Sequence, residues 1–171
     1  MQEKAAVTLK RTAFELAAQG ELFHDVSSDP CLTDKNGLSL LHVAAMHGQL
    51  PTVRRLLKQV PDCRVRDIRG HTALHYAAFY GHQHVVRELL QFSPQLLDDV
   101  DCEGNSALMT ACYQKRIHVV HELLKCGADM SLLNVNQESC FSIAQAVGAK
   151  DALTVMEKRV LEFLERHLFQ D

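Results

Sequence analysis

A period of 33 residues limits what this chain can fold into more than any other feature. Gly37, Gly70 and Gly104, with Gln137 at the fourth place, follow one another at spacings of 33, 34 and 33. Three residues ahead of them stand Asp34, Asp67, Asp101 and Asn134. Self-similarity at such a period marks a stacked array, in which one unit alone cannot bury its apolar face. Asp or Asn at the first place of a four-residue turn and Gly at the fourth suit a type I turn, because the short side chain caps nearby N–H groups and Gly accepts positive φ. Each unit therefore opens on a turn.

Behind each turn comes a hydroxyl, at Ser39, Thr72, Ser106 and Ser139, and then a short alanine-rich apolar stretch. The hydroxyl is a helix N-cap worth about 1 kcal/mol. The pattern predicts first helices over 40–45, 73–78, 107–112 and 140–145, thin enough through their alanines to lie close against neighbours. Gly48, Gly81 and Gly148 end three of them. A second helix follows, with Val53, Leu56 and Leu57, then Val86, Leu89 and Leu90, then Val120, Leu123 and Leu124 at helical spacing. The unit is turn, helix, helix, and the expected class is all-α.

The unit resembles the ankyrin repeat, whose pattern runs D-x-x-G-x-T-P-L-H-x-A-A-x-x-G-H. The likeness is closest from Asp67 through Gly70, Thr72, Leu74, His75, Ala77 and Ala78 to Gly81 and His82. Ser39-Leu40-Leu41-His42-Val43-Ala44-Ala45 repeats part of it, and Gly127-Ala128-Asp129 matches the family's closing G-A-D. The resemblance implies a solenoid with turn fingers, divided as N-terminal capping helices at 1–33, repeats at 34–66, 67–100 and 101–133, and a fourth, capping repeat at 134–171. Phe14 to Gly20 echoes a first helix, and Ser27-Ser28-Asp29-Pro30 cuts the second one short. Repeat 3 departs with Met109 in place of the helix-start histidine and Lys115 in place of glycine; repeat 4 departs with Ser142 and Gln137. Pro94 stops the second helix of repeat 2, in a loop one residue longer than its counterparts. The last helix should end near Arg159, yet Leu153, Met156, Val160, Phe163, Leu164 and Leu168 carry its apolar spacing onward. That extension is expected to cover the open end of the stack, the alternative being a docking helix for a partner or a downstream domain.

Composition narrows the chemistry. The chain has 171 residues, 47% hydrophobic and 23% charged, which suits one folded domain with a sizeable core. Lys and Arg number 18 against 21 Asp and Glu, for a net charge of -3, so there is no general attraction to nucleic acid or anionic membrane. No apolar run approaches the roughly 20 residues of a spanning helix, and no signal-peptide pattern opens the chain. The expectation is an intracellular protein, cytoplasmic or nuclear. Six cysteines without a C-x-x-C pair read as reduced, structural thiols.

Ten histidines invite thoughts of metal or proton chemistry. His121-Glu122 begins like H-E-x-x-H, but the second zinc ligand would have to be Lys125. Asp99-Val100-Asp101-Cys102-Glu103-Gly104 opens like a calcium loop, whose twelfth position is here Thr110. No phosphate-cradling glycine loop and no G-x-S-x-G elbow is present. No catalytic residue, metal site or cofactor is expected. The resemblance assigns structural roles to Gly37, Gly70 and Gly104, to the caps Ser39 and Thr72, and to His42 and His75, whose imidazoles bridge an N-cap to neighbouring backbone.

What remains free is a contact surface. The resemblance places partner contacts on the concave face, at the turn tips and the ends of the first helices. Carried onto this chain they are Met46 and His47, Phe79 and Tyr80, Tyr113 and Gln114, with Ile68, Arg69, His71, Glu103 and Asn105 at the tips. Met46, Phe79 and Tyr113 share one register position and form an apolar stripe, whose bland alternative is packing against adjacent loops. Arg54, Arg55, Lys58, Arg64, Arg66 and Arg69 gather at the first junction, and Asp98, Asp99, Asp101 and Glu103 at the second; a partner of opposite polarity would fit in one direction only. The expected partner is a protein or peptide, with no nucleic acid, membrane or small-molecule substrate, and the chain itself is expected to be monomeric. A regulatory or targeting segment of a larger enzyme or channel is the second reading.

Overall fold

The computed structural model describes residues 13–20, 32–59 and 63–168, so the turn at Ser27 to Pro30, Cys31 and the side chains of Leu168 and Phe169 lie outside the described residues. Helix α1 covers 13–19. It is followed by α2 (Leu40–Met46), α3 (Leu50–Leu57), α4 (Ala73–Tyr80), α5 (Gln83–Phe92), a 3-10 turn (Pro94–Leu96), α6 (Ala107–Tyr113), α7 (Ile117–Lys125), α8 (Cys140–Ala146) and α9 (Lys150–Leu168). The described residues contain no strand, only single bridges between Thr33 and Ser39 and between Val100 and Ser106. The short helices α2, α4, α6 and α8 pack in file as an inner layer, and α3, α5, α7 and α9 form an outer layer against them. This is the architecture of an all-α ankyrin solenoid.

Local chemistry starts each inner helix. Ser39, Ser106 and Ser139 accept from the backbone N–H three residues on. Leu41, Leu74 and Leu108 are buried at matching places in three inner helices, and Val53, Val86 and Val120 do the same in the outer ones. Alanines 44, 45, 77, 78 and 111 are fully enclosed, which is what allows the two layers to approach. The 3-10 turn after Pro94 drives Leu96 into this core and accounts for the longer loop of repeat 2.

Each finger is built by one side-chain oxygen. Oδ1 of Asp34, Asp67, Asp101 and Asn134 accepts two backbone N–H groups apiece, two and four residues ahead, at 2.8 to 3.0 Å. The fingers then join in a ladder. Ile68 N–H donates to the Asn36 carbonyl at 3.0 Å, Cys102 N–H to Arg69 at 2.9 Å and Val135 N–H to Glu103 at 2.9 Å.

This ladder explains one departure from the repeat pattern. A Cβ on Gly70 would lie 2.9 Å from the Cys102 backbone nitrogen, so the next finger leaves no room for a side chain. Gln137 holds the same left-handed turn, at φ 60, on the last finger. No described finger follows it, so only the backbone strain remains.

A parallel device operates at the helix turns. The residue after the turn reaches back over the preceding repeat's glycine to the last carbonyls of its first helix. Gln49 Nε2 donates to Ala18 at 2.9 Å, His82 Nε2 to Met46 at 2.9 Å and Arg116 Nε to Phe79 at 3.0 Å. A Cβ on Gly48 would meet the His82 ring at 2.6 Å. At the next junction the reaching residue is Ala149, which is too short, and the turn position beneath it is Lys115, at φ 56. Losing the reach removes the need for glycine.

One buried group is unsatisfied. The Thr52 hydroxyl, on the outer helix α3 and 2% exposed, has no hydrogen-bond partner. Thr52→Val keeps the shape and removes the desolvated hydroxyl, so it should stabilise the array by about 1 kcal/mol. Urea titration checks this; a loss of stability would mean that the hydroxyl is solvated in solution.

Candidate partner-binding surface

The histidines sort by neighbour. His42 is buried, its Nδ1 accepting the Ser39 N–H at 3.0 Å and its Nε2 donating to the His71 carbonyl at 3.0 Å in the next finger. His75 repeats this with the Thr72 N–H at 3.2 Å and the Asn105 carbonyl at 3.1 Å. Both rings are therefore neutral, protonated on Nε2. Burial pushes His75 down to about 4 and lowers His42 as well. At the third junction Met109 cannot donate, and a bond of 3.0 Å from Asn134 Nδ2 to Asn105 Oδ1 links the fingers there.

His71, read from sequence as partner-facing, is half-buried between two fingers. Its Nδ1 lies 3.2 Å from Asp67 and its Nε2 3.3 Å from Asp101, while the Tyr76 hydroxyl donates to Asp67 at 2.7 Å. Burial works to raise the Asp67 pKa, but these donors together hold it below its ordinary value. Asn105 is likewise engaged, with Asn134 and, at 3.4 Å, with Asp101. Two of the tip residues are thus occupied by contacts between repeats.

The stripe is laid out differently. Met46 is half-buried, Phe79 is 39% exposed and Tyr113 is 62% exposed, all at the C-terminal end of an inner helix. Tyr80, 43% exposed, meets Phe79 edge to face with ring centroids 5.0 Å apart and stacks on His82. His47 is exposed with Nδ1 3.0 Å from the Val43 carbonyl, and Gln114 is half-buried. Ile68, 71% exposed, stands with Arg69 and Glu103 at the tips. The alanines just before them in the inner helices are fully buried, whereas these rings face solvent.

The two charge clusters do not stand as separate patches. Arg64 and Arg66 of repeat 1 both pair with Asp99 of repeat 2, at 3.1 and 2.9 Å, and Arg54 pairs with Glu88 at 2.9 Å. Asp98 accepts the Asp129 N–H at 2.9 Å. Arg64, Arg66 and Asp99 thus neutralise one another across the junction, while Arg69 and Glu103 stay exposed at their tips.

Glu122, from the sequence fragment that begins like a zinc motif, is 4% exposed and held by Arg87 through two 2.7 Å hydrogen bonds and by Gln83 at 3.1 Å. The Arg87 hydrogen bonds hold its pKa down to about 2. Sequence reasoning missed this pair, as it missed the reach of Gln49, His82 and Arg116, because the partners lie 31 to 37 residues apart. A search at offsets of about one repeat length for opposite charges would have found it. Among the described residues, Cys63, Cys112 and Cys140 are buried cysteines, and Cys102 and Cys126 are exposed ones. Burial pushes Cys112 up to about 12 and Cys140 to about 11, far from a reactive thiolate. No described group of three or more His, Cys, Asp or Glu is arranged to hold a metal ion, and no described helix is long and apolar enough to cross a membrane.

None of the curated proteins compared with the chain matches it. The family model for ankyrin repeats in three copies matches residues 14–96 and, in a second register, 41–134. Ankyrin repeats are generally protein–protein interaction modules and typically non-catalytic. With the finger ladder, the paired helices and a family match over most of its length, the chain belongs to the ankyrin-repeat family.

Proposed function

We propose that this chain is a non-catalytic adaptor or scaffold module that captures a protein or peptide partner on the concave face of its solenoid. It acts as a monomer, in the cytosol or nucleus. The observation that carries this reading is the run of exposed rings at one register, Phe79 and Tyr113 beside Tyr80, on inner helices whose alanines are fully buried. Interfaces concentrate their energy in aromatic anchors, where truncation of a central one costs about 2 kcal/mol or more. The stacked helices are already rigid, so this side loses little entropy on association.

Phe79→Ala combined with Tyr113→Ala should remove partners captured from lysate in a pull-down, with a melting curve close to that of the parent chain. Unchanged capture would exclude this face. The second reading, a regulatory segment of a longer protein, is favoured by one feature: Leu161, Phe163 and Leu164 are exposed on the last turns of α9. Those turns run past the length of the other outer helices and offer an apolar strip to a neighbouring domain.

A further inference from the structure

Arg54, Arg64, Arg66 and Arg87 are each paired with a carboxylate of the following repeat. Four other cations, on two tips and just after the third inner helix, are not. Lys35 on the first tip, Arg69 on the second, and Lys115 and Arg116 after Tyr113 are exposed and form no ion pair among the described residues.

Arg116 is also held in place. Its Nε donates to the Phe79 carbonyl at 3.0 Å, which lays the side chain across Gly81 and anchors it to the backbone of the stripe, with no ion pair among the described residues. A chain of net charge -3 thus presents exposed cations at the tips and helix ends that also carry its exposed rings. Glu103, on the third tip, is the exposed acid among them.

We infer that the concave face takes a peptide segment of a partner protein in which acidic residues flank a bulky apolar side chain. That side chain seats on Phe79 and Tyr113; carboxylates on one side of it meet Lys35 and Arg69, and those on the other side meet Lys115 and Arg116. Charge complementarity selects the partner and sets its register, while the rings supply the apolar contact. The inference rests on the reading of the concave face as the binding surface.

Selection of phage-displayed random dodecapeptides against the chain at low salt tests it. The expected pool is enriched in Asp and Glu on both sides of a Phe, Trp or Leu. Synthetic peptides from that pool should lose about tenfold in affinity when salt rises from about 0.05 to about 0.5 M. A similar loss, about tenfold, is expected against the double variant Arg69→Glu with Lys115→Glu, and a gain is expected against Glu103→Lys. Both exposed positions leave the fold intact, which thermal melting verifies.

Neutral or basic peptides that are nevertheless lost with Phe79→Ala and Tyr113→Ala would overturn the inference and leave the face as the binding surface. Peptides indifferent to Phe79 and Tyr113 would overturn both. Sequences resembling the chain's own Glu157 to Arg166 would assign the face to a second copy instead, and a pool without enrichment would also count against an acidic partner.

Discussion

Gly70→Ala should cost the solenoid about 3 kcal/mol, whereas Gly148→Ala should cost about 1. Both glycines have positive φ, at 79° and 68°. An added methyl therefore meets the same local strain in each, about 1 to 2 kcal/mol. They differ in what lies above them. At Gly70 the new Cβ would stand 2.9 Å from the backbone nitrogen of Cys102 and 3.2 Å from the Asp101 carbonyl carbon, so the third finger must move away. Movement there breaks the Cys102 to Arg69 hydrogen bond and loosens the junction that buries Leu108. Around Gly148 nothing lies within 4 Å. Urea titration of the two variants measures the difference; equal losses would show that the finger ladder contributes nothing beyond the local backbone.

Acid should weaken the fold in two stages. His75 is neutral when folded and is pushed by burial down to about 4 from an ordinary 6.5, so between those values the unfolded chain binds a proton that the folded chain does not. The contribution is fully present above pH 6.5, declines as pH falls toward 4 and amounts to on the order of 3 kcal/mol. Burial lowers His42 too, in the same sense. Glu122 supplies the second stage: held at about 2 by Arg87 against an ordinary 4.5, it contributes stability present above 4.5 and lost as pH falls toward 2.

His75→Met places in repeat 2 the residue that repeat 3 already carries as Met109. At neutral pH the variant should lose about 2 kcal/mol, because the Thr72 N–H and the Asn105 carbonyl are left without their imidazole. Toward pH 4 its stability should converge on that of the parent, since the group that titrates has gone and only His42 still responds. Denaturant titrations at intervals between about pH 7 and about pH 4 measure both effects. A parallel pair of curves would show that His75 does not titrate with folding.

The exposure of the proposed contact residues was only partly legible beforehand. Phe79 and Tyr113 are exposed because register on a short helix is a local property, and a repeating pattern shows which side the core takes. His71 and Asn105 share that register logic, yet their side chains are occupied by Asp101 and Asn134 of the following repeat. A tip position tells which way a side chain starts out, but not whether the next finger holds a partner for it. The charge clusters failed for the same reason. Arg64, Arg66 and Asp99 read as two patches along the chain and become one set of ion pairs when repeats stack.

From the sequence alone come the period, the Asp-capped turns, the hydroxyl N-caps and the apolar faces of both helix layers, because each depends on residues within about one helical turn of one another. Tertiary structure alone decided what lies one repeat away: that Arg87 neutralises Glu122, that His82 and Arg116 reach back over glycines, and that Lys115, beneath the short Ala149, and Gln137, on the last described finger, hold positive φ where other repeats have glycine. Those facts depend on the distance between stacked backbones, which no single unit contains. Spacing within a repeat builds the module, and the approach between repeats determines which side chains remain available to a partner.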